Sequence, residues 1–222
     1  MAISLIKGQT IDLRKNDGGT DYDLSQVTIG LGWDVRKKDT GFFAKLFGAE
    51  EEDEYDLDAI AFLLDANGKV VNTGRKTPTT NGRSISYYGG DVVFFNSMEH
   101  PSGHIWLTGD NRTGAGEGDD EQIIVKLNDL GHQYQKIVFV VAIYMGKAHH
   151  QHFGMVENAF IRAVDKKGRE IAKFSLSGDS AYNGMRSMIF AEVYRKDDSW
   201  KFRAIGEPHT TDNFVDLLKN YT

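Results

Sequence analysis

Thirteen residues hold most of the side chains in this sequence that could do chemistry. They are Gly109-Asp110-Asn111-Arg112-Thr113-Gly114-Ala115-Gly116-Glu117-Gly118-Asp119-Asp120-Glu121. Five are acidic, one is basic and four are glycine. Glycine is costly inside helices and strands, so this composition describes a loop. The glycines permit sharp turns that bring carbonyl oxygens towards one point, and the acids place hard anionic oxygens around it. Carboxylates so crowded repel one another, and a divalent cation relieves them. Many oxygens in adaptable geometry suit calcium better than magnesium. The bland alternative is a solvated acidic turn. Glycine spacing and the apolar flanks favour an ordered loop instead.

A second carboxylate pair, Asp56 and Asp58, stands where an apolar segment begins, Leu57 to Leu64. Strand alternation points both side chains the same way. Aligned carboxylates at the mouth of a buried strand are costly unless paired or metal-bound. Asn96 closes another short strand, Asp91 to Asn96. His149, His150 and His152 could ligate zinc or nickel, but their spacing matches no standard site, and solvent-facing histidines are the simpler reading.

Several chemistries are excluded. No Gly-Lys-Ser/Thr closes the glycine loop as a P-loop would require, and counted from Asp110 the third and fifth positions are Arg112 and Gly114, which no EF-hand tolerates. There is no Gly-x-Ser-x-Gly elbow and no evident nucleophile–histidine pair. The carboxylates cluster too densely for the two separated roles of a glycosidase. No catalytic residue is expected.

The elements that must position the carboxylates read as β-structure. Short strands are expected around Ile3–Leu5 and Ile11–Leu13, then Val27–Asp34, whose Gly30 and Gly32 suggest close backbone approach or a bulge. Leu57 to Leu64 is apolar in both phases, so both its faces should be buried. Asp65-Ala66-Asn67-Gly68 reads as a hairpin turn into Lys69-Val70-Val71, and residues 72–90 as a long polar loop. Lys136 to Tyr144 is the most hydrophobic segment and should be central. Hairpins through Asp165–Gly168 and Lys196–Ser199 mark an antiparallel sandwich. Asp212 to Asn220 should be a helix, capped by Thr211 or Asp212. The expected architecture is an all-β, antiparallel β-sandwich of two packed sheets, with calcium-binding loops and a short C-terminal helix. One domain is expected over residues 1–222, with loop insertions at 36–54 and 72–90. In the first insertion, Phe42, Phe43, Leu46 and Phe47 share a helical face, either covering the domain's own core or docking a partner or membrane.

Length and charge set outer limits. At 222 residues the chain can bury a sizeable core. Its net charge of −6 argues against nucleic acid, and the lack of cysteine excludes disulfides and thiolate sites. The start shows no signal-peptide pattern, and the longest apolar run, Ile137 to Met145, is too short to cross a bilayer. A cytoplasmic protein without a transmembrane segment is expected.

Four stretches together resemble the TerD family of bacterial tellurite-resistance and stress proteins. They are Gly30 to Asp34, Asp56 to Ala59, Val93 to Asn96, and Thr108 to Gly114 continuing through Gly118-Asp119-Asp120-Glu121. Asn158 to Arg162 and Trp200 to Ala204 extend the likeness over nearly the whole chain. The resemblance implies a β-sandwich binding two calcium ions (Ca2+), and resistance to tellurite, phage and colicins. It also implies association with other proteins of the tellurite-resistance operon, including a membrane component, and hence a cytoplasmic location or a peripheral one at the inner membrane. It implies no established catalysis. The ligand set it implies is Asp56, Asp58, Asn96, Asp110, Asn111, Asp119, Asp120 and Glu121, with a carbonyl from Gly116. Asp34 is a ligand or an acceptor behind one. Three classes compete: a calcium-binding adaptor or sensor, a calcium-dependent membrane- or ligand-binding module, and an enzyme. The last would need an open coordination position and a base that the sequence does not display.

Overall fold

Segments with alternating or doubly apolar patterns pair into two sheets. The computed structural model describes residues 3–14, 21–35, 55–78, 85–108, 118–176, 180–197 and 199–222. The insertion 36–54, with its phenylalanine face, and residues 109–117 lie outside them. Numbered in chain order, the first sheet runs β1 (Ile3–Leu5), β12 (Glu170–Leu176), β11 (Val156–Asp165), β3 (Val27–Val35), β9 (Glu121–Val125) and β8 (Ile105–Leu107). The second runs β2 (Thr10–Asp12), β14 (Ser199–His209), β13 (Ser187–Lys196), β10 (Lys136–Ile143), β4 (Leu57–Leu64) and β7 (Val92–Val93). Every pairing among the described strands is antiparallel except β1 with β12, which is parallel.

The core lies between the sheets. Ile29, Leu31, Ile123 and Ile161 of the first share one buried cluster with Leu57, Ala61, Phe139 and Phe190 of the second. The opposite face of β4 and β10 is also apolar: Ile60, Phe62, Leu64, Val138 and Val140 form a second cluster. The C-terminal helix α1 (Phe214–Leu218) covers it with Leu217 and Leu218, while the rings of Phe214 and Tyr221 pack on Phe62. All eight residues of β4 are therefore buried, as a strand apolar in both phases requires.

Three local expectations need correction. Residues 69–71 form no strand, because Val70 N–H bonds to the Tyr221 carbonyl (2.7 Å) rather than returning along β4. The stretch 72–90 is not all loop: β5 (Arg75–Pro78) and β6 (Ile85–Tyr88) form a separate hairpin. It joins neither sheet, so no apolar alternation betrays it. The helix is shorter than expected, and its cap is Asn213, whose side chain accepts from Val215 N–H at 3.2 Å. Asn213→Ala should lower stability by about 1 kcal/mol in thermal denaturation. An unchanged midpoint would show that packing alone holds the helix.

The ladders bring many chain segments to one end of the sandwich. Here β3, β10 and β14 leave and β4, β9, β11 and β13 begin, as the pairings Val156↔Val35, Ile143↔Leu57, Ala142↔Ser187 and Ser187↔His209 require. Asp34, Asp56, Asp58 and Asp119 to Glu121 therefore collect at this end.

Candidate functional site

Glu121 opens β9 in phase with the core residues Ile123 and Val125, and it is buried. Its carboxylate crosses to the other sheet and accepts the backbone N–H of Ala59 on β4. β7 pairs with β4 only at Ala61 and Phe62, so Glu121 serves the ladder position just beyond that short strand. The contact sets Glu121 beside the start of β4, where Asp58 is buried and Asp56 half-buried. The Asp56 carbonyl accepts Tyr144 N–H at 2.8 Å, fixing this corner to the end of β10.

Asp120 is tied to β3. Its N–H donates to the Leu31 carbonyl (2.7 Å), and its Oδ2 accepts from Trp33 N–H (2.9 Å), doing the work of a ladder carbonyl. Burial raises its affinity for a proton; the Trp33 bond opposes this, and the charges of Asp34 and Asp119 add to it. Asp119 lies against Arg162 and Gln122. Asp34 is exposed and accepts from Asn158 Nδ2 at 2.7 Å. Asn96 is exposed in the tight turn Phe94 to Ser97, which follows β7 towards the Asp58 end. Asp110, Asn111 and Gly116 lie outside the described residues.

The donors gathered here are carboxylate and amide oxygens, the set a hard cation such as calcium takes. Asp120 fits that occupant, because a bound cation would offset the neighbouring charges that disfavour its own. Among the described residues, no three His, Asp or Glu side chains are assembled as a metal-binding group. That includes His149, His150 and His152, which sit in the turns and loop after β10.

With the geometry in place, comparison decides the family. Residues 1–76 and 80–221 match the TerD domain. The chain belongs to the TerD family. It is 57% identical over 221 residues to the tellurium resistance protein TerX of Serratia marcescens, spanning 100% of both chains. It is 40% identical over 222 residues to a stress response protein of Bacillus subtilis, again 100% of both. To TerD of S. marcescens it is 38% identical over 208 residues, 93% of this chain and 91% of that one. A solved homologue of telluride resistance protein (TerD) from Streptomyces coelicolor superposes with a TM-score of 0.58 at 21% identity, covering 89% of this chain and 98% of that one. That likeness bears on fold alone, and it is the two-sheet fold described above.

This TerD-family chain also carries a buried polar network that pattern reading passed over. Asp91 and His100 are 3% and 4% exposed. The Asp91 carboxylate accepts from His100 Nε2 (3.0 Å), Tyr134 OH (2.8 Å) and Asn72 N–H (2.8 Å). His100 Nδ1 in turn meets the Ser102 hydroxyl at 2.8 Å. The structure thus does hold a serine–histidine pair, in the order of a hydrolase relay, where none was expected. Its wiring is that of a pinned turn: Ser102 N–H also donates to His100 Nδ1, His104 N–H donates to the Ser102 oxygen, and Gly103 N–H donates to the His100 carbonyl. The nearby amides that could form an oxyanion hole are thereby engaged. The only sequence signal was an isolated Asp and His flanking short strands.

Proposed function

We propose that this chain is a calcium-binding, non-catalytic stress protein that contributes to tellurite resistance as an adaptor or sensor. In this reading it is cytoplasmic, works with other proteins of the tellurite-resistance operon, and meets a membrane component among them. The observation that carries it is Asp120: a carboxylate held by Trp33 in surroundings that disfavour its charge, followed in the chain by Glu121, whose own carboxylate reaches Ala59 beside Asp58. Asp110, Asn111 and Asn96 would complete the coordination. Calcium would supply the positive charge that the crowded oxygens lack. The chain's own residues hold those oxygens in place, Glu121 through β4 and Asp120 through β3. Names given to relatives spanning the whole chain, tellurium resistance and stress response, support the physiological part. A calcium isotherm near cytoplasmic ion levels tests it: saturation in that range supports a sensor, and no binding overturns the metal reading.

One observation favours a second reading, a calcium-dependent membrane-binding module. Tyr144, Met145 and Met155 are 44%, 48% and 36% exposed at the same end as the carboxylates. Among the described residues no helix is long and apolar enough to cross a membrane. Repeating the isotherm with anionic vesicles separates the readings, because only this module would co-sediment with lipid in calcium and be released by chelator.

The part played in tellurite resistance should be indirect. Reducing an oxyanion takes thiols or a redox cofactor, and the sequence has no cysteine. Purified, calcium-loaded protein is expected to leave tellurite unreduced in an absorbance assay. Steady reduction by the protein alone would sink this reading.

A further inference from the structure

Asp119 stands in the acidic run before β9, but its side chain takes a course apart from those of Asp120 and Glu121. It lies over the outer face of β3, 3% exposed, with Oδ1 accepting from Arg162 Nε at 2.7 Å and Oδ2 from Gln122 Nε2 at 3.3 Å. The seat is Gly30, where a Cβ would stand 2.1 Å from Asp119 Oδ2. At Gly32 a Cβ would meet the Phe160 ring at 2.4 Å and the Gly118 carbonyl at 2.8 Å. The two glycines therefore form a trough that accepts residues 118 and 119 against the sheet. Arg162 sits opposite Gly30 in the β3–β11 ladder, and its other arm reaches Glu170 at 3.1 Å. Glu121 points the other way, through the sandwich to Ala59.

The geometry assigns Asp119 a positioning role. It anchors the C-terminal end of the acidic loop to Arg162 across Gly30, and so fixes Asp120 and Glu121, without itself ligating the ion. This rests on the calcium reading above for its effect on affinity, though not for the anchor itself. Both carboxylate oxygens engage side chains on the outer face, while Asp120 and Glu121 are bonded to β3 and β4. Losing a partner that orients metal ligands typically weakens binding by about 10–100-fold.

The two roles open to Asp119 give opposite signs when Arg162 is removed. If Asp119 is an anchor, Arg162→Gln weakens calcium binding by at least about tenfold. The double variant Asp119→Ala/Arg162→Gln is then no weaker than the weaker single one, and Arg162→Lys recovers part of the affinity. If Asp119 is a ligand, Arg162→Gln frees it, so calcium binds as well or better while Asp119→Ala alone abolishes binding. That result would overturn the assignment. Amide exchange in chelator supplies a readout without metal. Exchange at Asp120 and Trp33 should quicken in Arg162→Gln and in Gly30→Ala, which expels the Asp119 carboxylate from its seat. Should wild type bind no calcium, the metal reading falls and exchange alone decides: faster exchange at these amides upholds the anchor, and unchanged exchange overturns it.

Discussion

Chelated protein is expected to melt well below calcium-loaded protein. A ligand at a hundredfold excess over its Kd stabilises the native state by about 2.7 kcal/mol, which for a chain of this length is roughly 5–11 °C. The difference should exceed that of a simple site, because without the ion Asp120 bears the charges of Asp34 and Asp119 in a partly buried place. Asp120→Asn separates the two contributions. It keeps an oxygen for Trp33 N–H and removes one charge, so it should weaken calcium binding while leaving the chelated protein at least as stable as wild type. Magnesium should substitute poorly, since it dehydrates reluctantly and demands tighter octahedral geometry. Two melts per variant, one in chelator and one in calcium, check this. Wild type melting at one temperature in both would overturn the metal reading.

The second large effect belongs to Asp91. Asp91→Ala strands three donors, Asn72 N–H, His100 Nε2–H and the Tyr134 hydroxyl. The buried His100 donor left unmade costs about 1–3 kcal/mol and the part-buried Asn72 and Tyr134 donors add less, so the loss should reach about 2 kcal/mol, or roughly 4–8 °C. Asp91→Asn keeps an acceptor and should cost less, and it exposes the pH linkage. Burial works to raise the Asp91 pKa, but the hydrogen bonds from His100, Asn72 and Tyr134 outweigh it and hold the carboxyl below its usual range. A depressed folded pKa contributes stability that is present above the unfolded value, near about 4, and lost as pH falls through the folded one. Asp12 and Asp165, held down by Arg14 with Lys201 and by Arg169 respectively, act in the same direction. Wild type should therefore lose stability below about pH 4, and Asp91→Asn should lose less over the same interval. Equal losses in melts at pH 7 and pH 3 would show that Asp91 carries none of the acid sensitivity. Burial, with the bond to Asp91 and its charge, pushes the Tyr134 hydroxyl up to about 12.

What the sequence made legible follows from which physical signals are local. β4 and β10 announced themselves because burial on both faces demands apolar residues in both phases, and Gly30 and Gly32 because close approach leaves no room for a Cβ. Composition alone marked Asp120 and Glu121 as candidates. The direction of Asp119 could not be read from it: Arg162 is 43 residues away, and only the β3–β11 register brings them together. Nor could the Asp91–His100–Tyr134 network, whose members are joined by tertiary packing rather than spacing. The β5–β6 hairpin failed for a different reason, since a ribbon outside both sheets carries no alternation to detect.

The arrangement of β1 with β2 and of β7 with β8 has a consequence for self-association. These four strands are the outermost members of the two sheets, and each is only two or three residues long. Each consecutive pair gives one strand to each sheet, so the chain laces across both flanks of the sandwich. The outer side of β8 is further occupied, with Leu107 N–H on the Met98 carbonyl and His100 N–H on the Ile105 carbonyl. A long bare edge is where β-proteins recruit foreign strands and begin to fibrillise. Among the described residues, each outermost strand offers an incoming strand no more than three residues of its own edge, too few to template a long ladder.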